Sequence, residues 1–209
     1  MRAWPVMRTS WSSSFSLAVV FAGLTLGVSG CALSPESQAQ AQLRDALASS
    51  VGESQDIAWQ FREELVADPE TALPGVSGVV DARPAFTDAR LRVPSGTWLL
   101  LDVTEDADGT SLTLVASGAA EVGSGPFGAS SSGVTCFQLQ IAHDASRIET
   151  VGSECVDKDG RGLGDLGIDP QPAVIPLQEL DVRRSVDESD YEPLPCQCSS
   201  GGDCDCPGG

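Results

Sequence analysis

The stretch from Thr97 to Cys155 constrains the fold of this chain most, because its pattern predicts two consecutive β-hairpins. In the first, an apolar-rich run at 97–104 is joined by Asp106-Ala107-Asp108-Gly109 to a second run at 111–122. The Asp-Gly pair favours a tight turn, since glycine adopts the positive φ that such a turn needs. Apolar residues occupy both odd and even positions of the first run, which predicts that both faces of this strand are covered.

The second hairpin is predicted from an alternation of apolar and polar residues. The apolar members are Phe137, Leu139 and Ile141. A turn near Asp144-Ala145-Ser146 would return the chain along a strand from Arg147 to Val156. That register brings Cys136 opposite or diagonal to Cys155, within reach of a disulfide. Such a bond would close a loop of about twenty residues and stabilise the fold by about 3 kcal/mol.

An amphipathic helix is predicted upstream of the hairpins. Its apolar stripe consists of Leu43, Leu47, Val51, Ala58, Phe61 and Leu65. Ser34 suits the N-cap and Pro35 the first turn, and Asp68-Pro69 ends the pattern. Gly52 leaves open whether this is one helix or two. Together these segments predict an α+β domain over 36–156, with an N-terminal amphipathic helix packed on a small antiparallel β-sheet.

Three connecting segments have compositions typical of loops or linkers. Residues 69–96 contain four prolines and allow one edge strand near Val76–Val80. The glycine-rich segment 123–133 is predicted to be a flexible loop, in which Phe127 either folds back as an anchor or stays exposed as a contact residue. Residues 157–195 are acidic and proline-rich, which predicts a linker leading away from the domain.

The N-terminus carries the pattern of an export signal. Arg2 and Arg8 precede an apolar run at 15–26, which is too short to span a bilayer and is followed by small residues. Residues 1–30 are therefore predicted to be a signal peptide that is removed from the mature protein. The signal is retained if translation starts at Met7.

The predicted signal ends in Val28-Ser29-Gly30-Cys31, which is an aliphatic residue, two small residues and a cysteine. This sequence resembles the lipobox of bacterial lipoproteins. The resemblance implies that the Cys31 thiol carries a lipid and that the chain is cut after Gly30. It also implies that residues 31–35 tether the domain to the extracytoplasmic face of the cell membrane. Two or three acyl chains make such an anchor effectively stable.

A second resemblance covers residues 97–156. A glycine-rich segment, then Val134-Thr135-Cys136-Phe137-Gln138-Leu139, then a charged hairpin ending in Glu154-Cys155 is similar to a pattern in exported actinobacterial proteins that have no assigned function. The resemblance implies an actinobacterial origin and supports pairing of Cys136 with Cys155. It implies no activity.

The segment 196–209 carries four cysteines with the spacing C-x-C-x5-C-x-C. They are Cys196, Cys198, Cys204 and Cys206. We predict a disordered tail, for whose thiols three interpretations remain open. They form two disulfides in an oxidising compartment, they form a tetrathiolate site for Zn or Cu(I), or they carry out thiol-disulfide redox chemistry.

Charge and motif content narrow the classes of function. A formal net charge of −18 with a single lysine argues against a nucleic-acid partner, because few cations are available to displace phosphate counterions. The only histidine, His143, falls in the predicted second turn, and no Gly-x-Ser-x-Gly motif is present. We therefore predict no catalytic residue and no resident cofactor. The predicted function is a non-enzymatic, membrane-anchored accessory or binding module with a protein partner at the cell surface. Capture of Cu or Zn by the tail cysteines and a thiol-disulfide redox function are the alternatives.

Overall fold

A computed structural model describes residues 34–83, 97–156, 159–164 and 173–191. The helices are α1 (Pro35–Gln60), α2 (Arg62–Ala67) and α3 (Pro69–Ala72). The strands are β1 (Val79–Asp81), β2 (Trp98–Glu105), β3 (Gly109–Val122), β4 (Ala129–Ala142), β5 (Arg147–Gly152), β6 (Ala173–Val174) and β7 (Ser185–Asp187). The predicted signal peptide, the lipidation site Cys31 and the predicted cysteine-rich tail lie outside the described residues.

The α+β class is confirmed, but the sheet is larger than predicted and is mixed. Its order is β1-β2-β3-β4-β5-β7, and β6 pairs with β4 beyond the end of β5. The hairpins β2-β3 and β4-β5 are antiparallel as predicted, whereas β1 runs parallel to β2 and β6 runs parallel to β4. The expectation of a purely antiparallel sheet was therefore wrong, because two short edge strands join in the parallel direction.

The sheet buries apolar side chains on both faces. The main core combines Leu43, Leu47 and Val51 of α1 with side chains from β2, β3, β4 and β5. A second cluster lies on the other face; its buried members are Ala82, Leu99, Leu101, Val115, Val134, Cys136 and Leu163. A β-bulge after Leu100 explains the apolar run in β2. Because Leu101 is an extra residue, the residues of β2 that face the second cluster change parity after it.

The N-terminal helix is continuous. Ser34 caps it, since its hydroxyl accepts a hydrogen bond from the backbone N–H of Ser37 at 3.2 Å. The helix passes through Gly52 and ends at Gln60, with Phe61 outside the helical range at φ −109°. The break therefore falls nine residues later than the position that the glycine marked.

The turn between β2 and β3 depends on Asp106 and Gly109, as the sequence predicts. One carboxylate oxygen of Asp106 accepts hydrogen bonds from the backbone N–H groups of Asp108 at 2.8 Å and Gly109 at 3.1 Å. Gly109 has φ +146°, and a Cβ added there would overlap the carbonyl oxygen of Ile141. Glycine is therefore required at this position.

About half of the predicted flexible loop at 123–133 is strand. Ala129 to Gly133 continue the β3-β4 ladder, pairing with Val122 to Gly118, so that only a short turn remains. A 3-10 turn at Gly125–Phe127 closes it. The small side chains of this segment suit a loop, but the ladder uses backbone groups alone and is therefore insensitive to that composition.

The prediction of a linker at 157–195 was wrong for residues 173–191, which pack on the domain. Residues 173–191 supply β6 and β7, and Leu177, Leu180 and Val186 are buried in the main core. β7 pairs with β5, so the domain extends well beyond the expected boundary at 156. The acidic residues of this segment remain on its exposed side while three separated apolar side chains dock.

We expect Gly52→Ala to raise the free energy of unfolding by about 1 kcal/mol, because glycine inside a helix is entropically costly. A Cβ at this position meets no atom within 4 Å. Urea denaturation of the purified protein measures the change. Gly109→Ala is the matched control and should destabilise the fold; equal effects of the two substitutions would contradict the assignment of the two backbone conformations.

Candidate functional site

The face of the sheet opposite the main core carries a set of polar side chains, here called the open face. Its members are Asp102, Thr104, Ser111, Thr113, Gln138, Gln140, Arg147, Glu149 and Ser185. Pairing across the strands places Thr104, Ser111, Gln140, Glu149 and Ser185 in one row. Directly paired residues project to the same face, so this row crosses five strands, from β2 to β7.

Hydrogen bonds order part of the open face. The side-chain amide nitrogen of Gln140 donates to the side-chain oxygen Oε1 of Gln138 at 3.4 Å. The side-chain amide nitrogen of Gln138 in turn donates to the hydroxyl of Thr113 at 3.2 Å. Arg147 and Glu149 form an ion pair of 3.0 Å beside them. Both glutamines are only half-buried. The open face therefore presents amide groups held on rigid strands and still reachable from solvent.

A polar depression of about 220 Å³ lies at the end of the open face, next to the first hairpin turn. Its walls include Asp106 and Asp108 from that turn and Gln140, Arg147 and Glu149 from β4 and β5. Three carboxylates against one guanidinium make this depression acidic. It suits a polar ligand rich in hydrogen-bond donors or positive charge.

An aromatic pair, here called the clasp, joins the end of the described C-terminal segment to α1. It consists of Trp59 and Tyr191. The rings of Trp59 and Tyr191 stack with centroids 5.0 Å apart and an interplanar angle of 10°. The guanidinium of Arg62 lies 4.1 Å from the Trp59 ring centroid. Arg183 lies 5.8 Å from the centroid of the Tyr191 ring. This clasp explains why Trp59 is buried although it lies off the predicted apolar stripe.

Polar contacts complete the clasp. The Tyr191 hydroxyl donates to Asp56 at 2.7 Å, and Arg183 lies 2.5 Å from the same carboxylate oxygen. The buried amide of Gln55 donates to Thr150 at 2.6 Å and to the backbone carbonyl of Arg183 at 2.8 Å. These groups join α1, β5 and the C-terminal segment, so their role is to close the fold.

A second charged cluster fixes the edge of the sheet at β1. Arg83 contacts Glu70 at 2.6 Å and Asp81 at 2.8 Å. Its guanidinium lowers the pKa of both carboxyl groups through hydrogen bonding, and they raise the pKa of Arg83 in return. All three groups are satisfied by one another, which favours a structural role in joining α3 to β1.

Among the residues discussed from the sequence, the structure describes the cysteines of the predicted disulfide, Phe127 and His143. The disulfide between Cys136 and Cys155 is present, with Cα atoms 5.3 Å apart. Phe127 does not fold back as an anchor, since it is 82% exposed. His143 is exposed in the second turn, and its backbone N–H donates to the carbonyl of Asp108 at 3.0 Å. The metal and redox hypotheses for the four tail cysteines stay predictions, because those residues are not described.

Sequence reasoning missed the open face and the clasp. The alternation of Gln138 and Gln140 with apolar neighbours was a signal for one solvated face of a strand. A row of polar groups needs the register of five strands, which no local pattern contains. The partner of Trp59 is Tyr191, more than a hundred residues away, so their stacking has no local signature.

Tyr191 gives a direct titration probe of the clasp. Burial raises the pKa of Tyr191 to about 12, and the hydrogen bond to Asp56 acts in the same direction. Tyr191 is the only tyrosine in the chain, so tyrosinate absorbance reports it alone. We expect a midpoint near pH 12 in the folded protein and about 10 after unfolding. The corresponding stability is complete below the unfolded pKa and is lost as the pH rises through the folded pKa.

Asp56→Asn is the matched control for this titration. It keeps the size of the side chain and removes its charge, so the pKa of Tyr191 should move back toward its ordinary value. A midpoint near 10 in the folded parent protein would mean that Tyr191 is not held against α1.

Among the described residues, no helix combines the length and apolar character needed to cross a membrane. Within the same ranges, no three His, Cys, Asp or Glu side chains are grouped so that they could hold a metal ion.

No protein-family model matches the chain, and neither a curated protein nor a solved structure matches it.

Proposed function

We propose that this chain is a lipid-anchored, extracytoplasmic binding module without catalytic activity. In this proposal Cys31 carries the lipid and the open face binds a protein partner at the cell surface. The observation that carries the binding role is the polar row from Thr104 to Ser185, which is in register across five strands. The anchoring role is supported by the lipobox-like sequence that ends at Cys31.

The open face has the properties of a recognition surface. Its donors and acceptors are mounted on adjacent strands, so little conformational freedom is lost when a partner binds. The internal hydrogen bonds from Gln140 to Gln138 and from Gln138 to Thr113 orient the amide groups in advance. The acidic depression beside them selects for a partner with positive charge or many N–H donors at the matching point.

The disulfide supports an extracytoplasmic location. Structural disulfides form and persist in oxidising compartments and are rare in the cytosol of mesophiles. Cys136 is buried in β4, and Cys155 follows β5 at the point where the chain leaves the ladder. The bond therefore fixes the path of the chain beside the second cluster, to which Leu163 also belongs.

We expect Cys31→Ala to release the protein from the membrane, because the lipid would have no attachment site. Membrane fractionation of expressing cells measures the distribution, and the intact mass of the parent should exceed that of the protein portion by attached acyl groups. Cys204→Ala, a cysteine substitution in the predicted tail, is the control and should leave the protein membrane-bound. A Cys31→Ala variant that stayed in the membrane fraction would contradict the proposed anchor.

We expect a photo-crosslinking amino acid at position 140 to join this protein to one discrete partner in living cells, because Gln140 lies at the centre of the polar row. The same amino acid at Gln42 is the matched control, since Gln42 is an exposed glutamine on α1. Gel mobility and mass spectrometry of the adducts measure the result.

Adducts of the same kind and yield at both positions, or at neither, would count against the open face as the binding surface. They would leave the anchor unaffected, since the fate of Cys31 is measured separately. An Asp108→Asn substitution at the depression should reduce the yield of the adduct at position 140 if the partner presents positive charge there.

A further inference from the structure

We infer that the tip of the β3-β4 hairpin contacts the lipid surface beside the anchor, with Phe127 inserted at the membrane interface. The inference rests on the lipid anchor at Cys31 proposed above. It adds a second point of attachment, which would fix how the domain stands on the membrane.

The tip is uncharged and carries one exposed aromatic side chain. Phe127 is 82% exposed, and Val174 is the only other exposed large hydrophobic side chain in the part of the chain that the structure describes. The segment from Gly123 to Gly133 contains no charged residue, in a chain whose net charge is −18. A phenyl group flanked by small neutral residues can enter the interface without desolvating a charge.

The turn at 123–128 holds Phe127 in the hairpin tip. Gly123 and Gly125 have φ of +75° and +62°, a conformation that glycine adopts without strain. The N–H of Gly128 donates to the carbonyl of Gly125 at 3.1 Å, which closes the 3-10 turn around Phe127. Below it, the paired residues of β3 and β4 form a continuous ladder down to the body of the sheet.

The start of α1 lies at the same end of the domain as this tip. A Cβ added to Gly118, near the base of the hairpin, would lie 3.2 Å from side-chain atoms of Leu43 and Leu47. At the other end, Arg62 donates to the carbonyl of Ala145, in the opposite turn, at 3.1 Å. The helix therefore runs in the direction of β4, and its N-terminus points toward the hairpin tip.

Chain lengths are compatible with contact of the anchor and the hairpin tip with one membrane surface. From Leu43 back to Ser34 the helix rises about 14 Å, and from Gly118 to the end of β3 at Val122 the strand rises about 13 Å. The last residue of β3 therefore lies at about the level of the start of α1, and the turn at 123–128 projects beyond it. The covalent chain from Ser34 to Cys31 can span at most about 11 Å. A chain of this length is compatible with the proposed arrangement, in which the lipid on Cys31 and Phe127 contact the same bilayer surface.

The test is Phe127→Trp in the full-length lipoprotein, inserted into vesicles of neutral phosphatidylcholine. Subtracting the parent spectrum removes Trp59 and Trp98, both of which are buried. We expect a blue-shifted emission, quenching by lipids brominated near the headgroup, and severalfold weaker quenching by aqueous acrylamide than in the unanchored Cys31→Ala form. The control is His143→Trp at the opposite end of the sheet, which should be quenched by acrylamide equally in both forms.

Each other outcome overturns the inference in a recognisable way. If mass spectrometry finds lipid on Cys31 but acrylamide quenches the introduced indole as in the unanchored form, the tip does not contact lipid and the anchor stands. If no lipid is found on Cys31, both the anchor and this inference fail. If the introduced indole is shielded in native membranes but exposed in protein-free vesicles, the tip binds a protein.

Discussion

The structure depends on the pairing of β3 with β4. These two strands are in register from Gly109 with Ala142 at one end to Val122 with Ala129 at the other, without a bulge. Each of the other described strands except β1 and β7 pairs directly with one of them. Because the pairing is uninterrupted, the alternation of side chains is preserved along its whole length. One face of this strand pair contributes side chains to the main core. The opposite face contributes some side chains to the second cluster and others to the open face.

The C-terminal segment completes this arrangement at the edge of the sheet. β7 pairs with β5 over three residues, and Val186 at its centre is fully buried. So short an edge strand gives little stability by itself. The stacking of Tyr191 on Trp59 and the hydrogen bonds of Gln55 add contacts at separate points of α1. Together they make the segment part of the domain despite its acidic, proline-rich sequence.

The sequence predicted those features that depend on neighbouring residues. The cap at Ser34, the turn at Gly109 and the Cys136–Cys155 bond each follow from a spacing within about twenty residues. The docking of Leu177 and Val186 could not be predicted, because isolated apolar residues in a polar segment have no periodicity. The extension of β4 to Ala129 was missed for a different reason: serine and glycine give no side-chain signal for a strand, while their backbone groups pair as well as any.

The same limits apply to the candidate site. Local alternation indicates that Gln138 and Gln140 share a face, but only the assembled register places Ser111 and Glu149 in one row with Gln140. The hairpin tip and the start of α1 likewise come together only through the direction of the helix along β4. In the membrane orientation that we propose, the acidic depression lies at the end of the sheet opposite the lipid. One end of the sheet would then contact the membrane and the other end would bind a partner. The first hairpin turn and the His143 turn lie at the partner-binding end and would face away from the lipid.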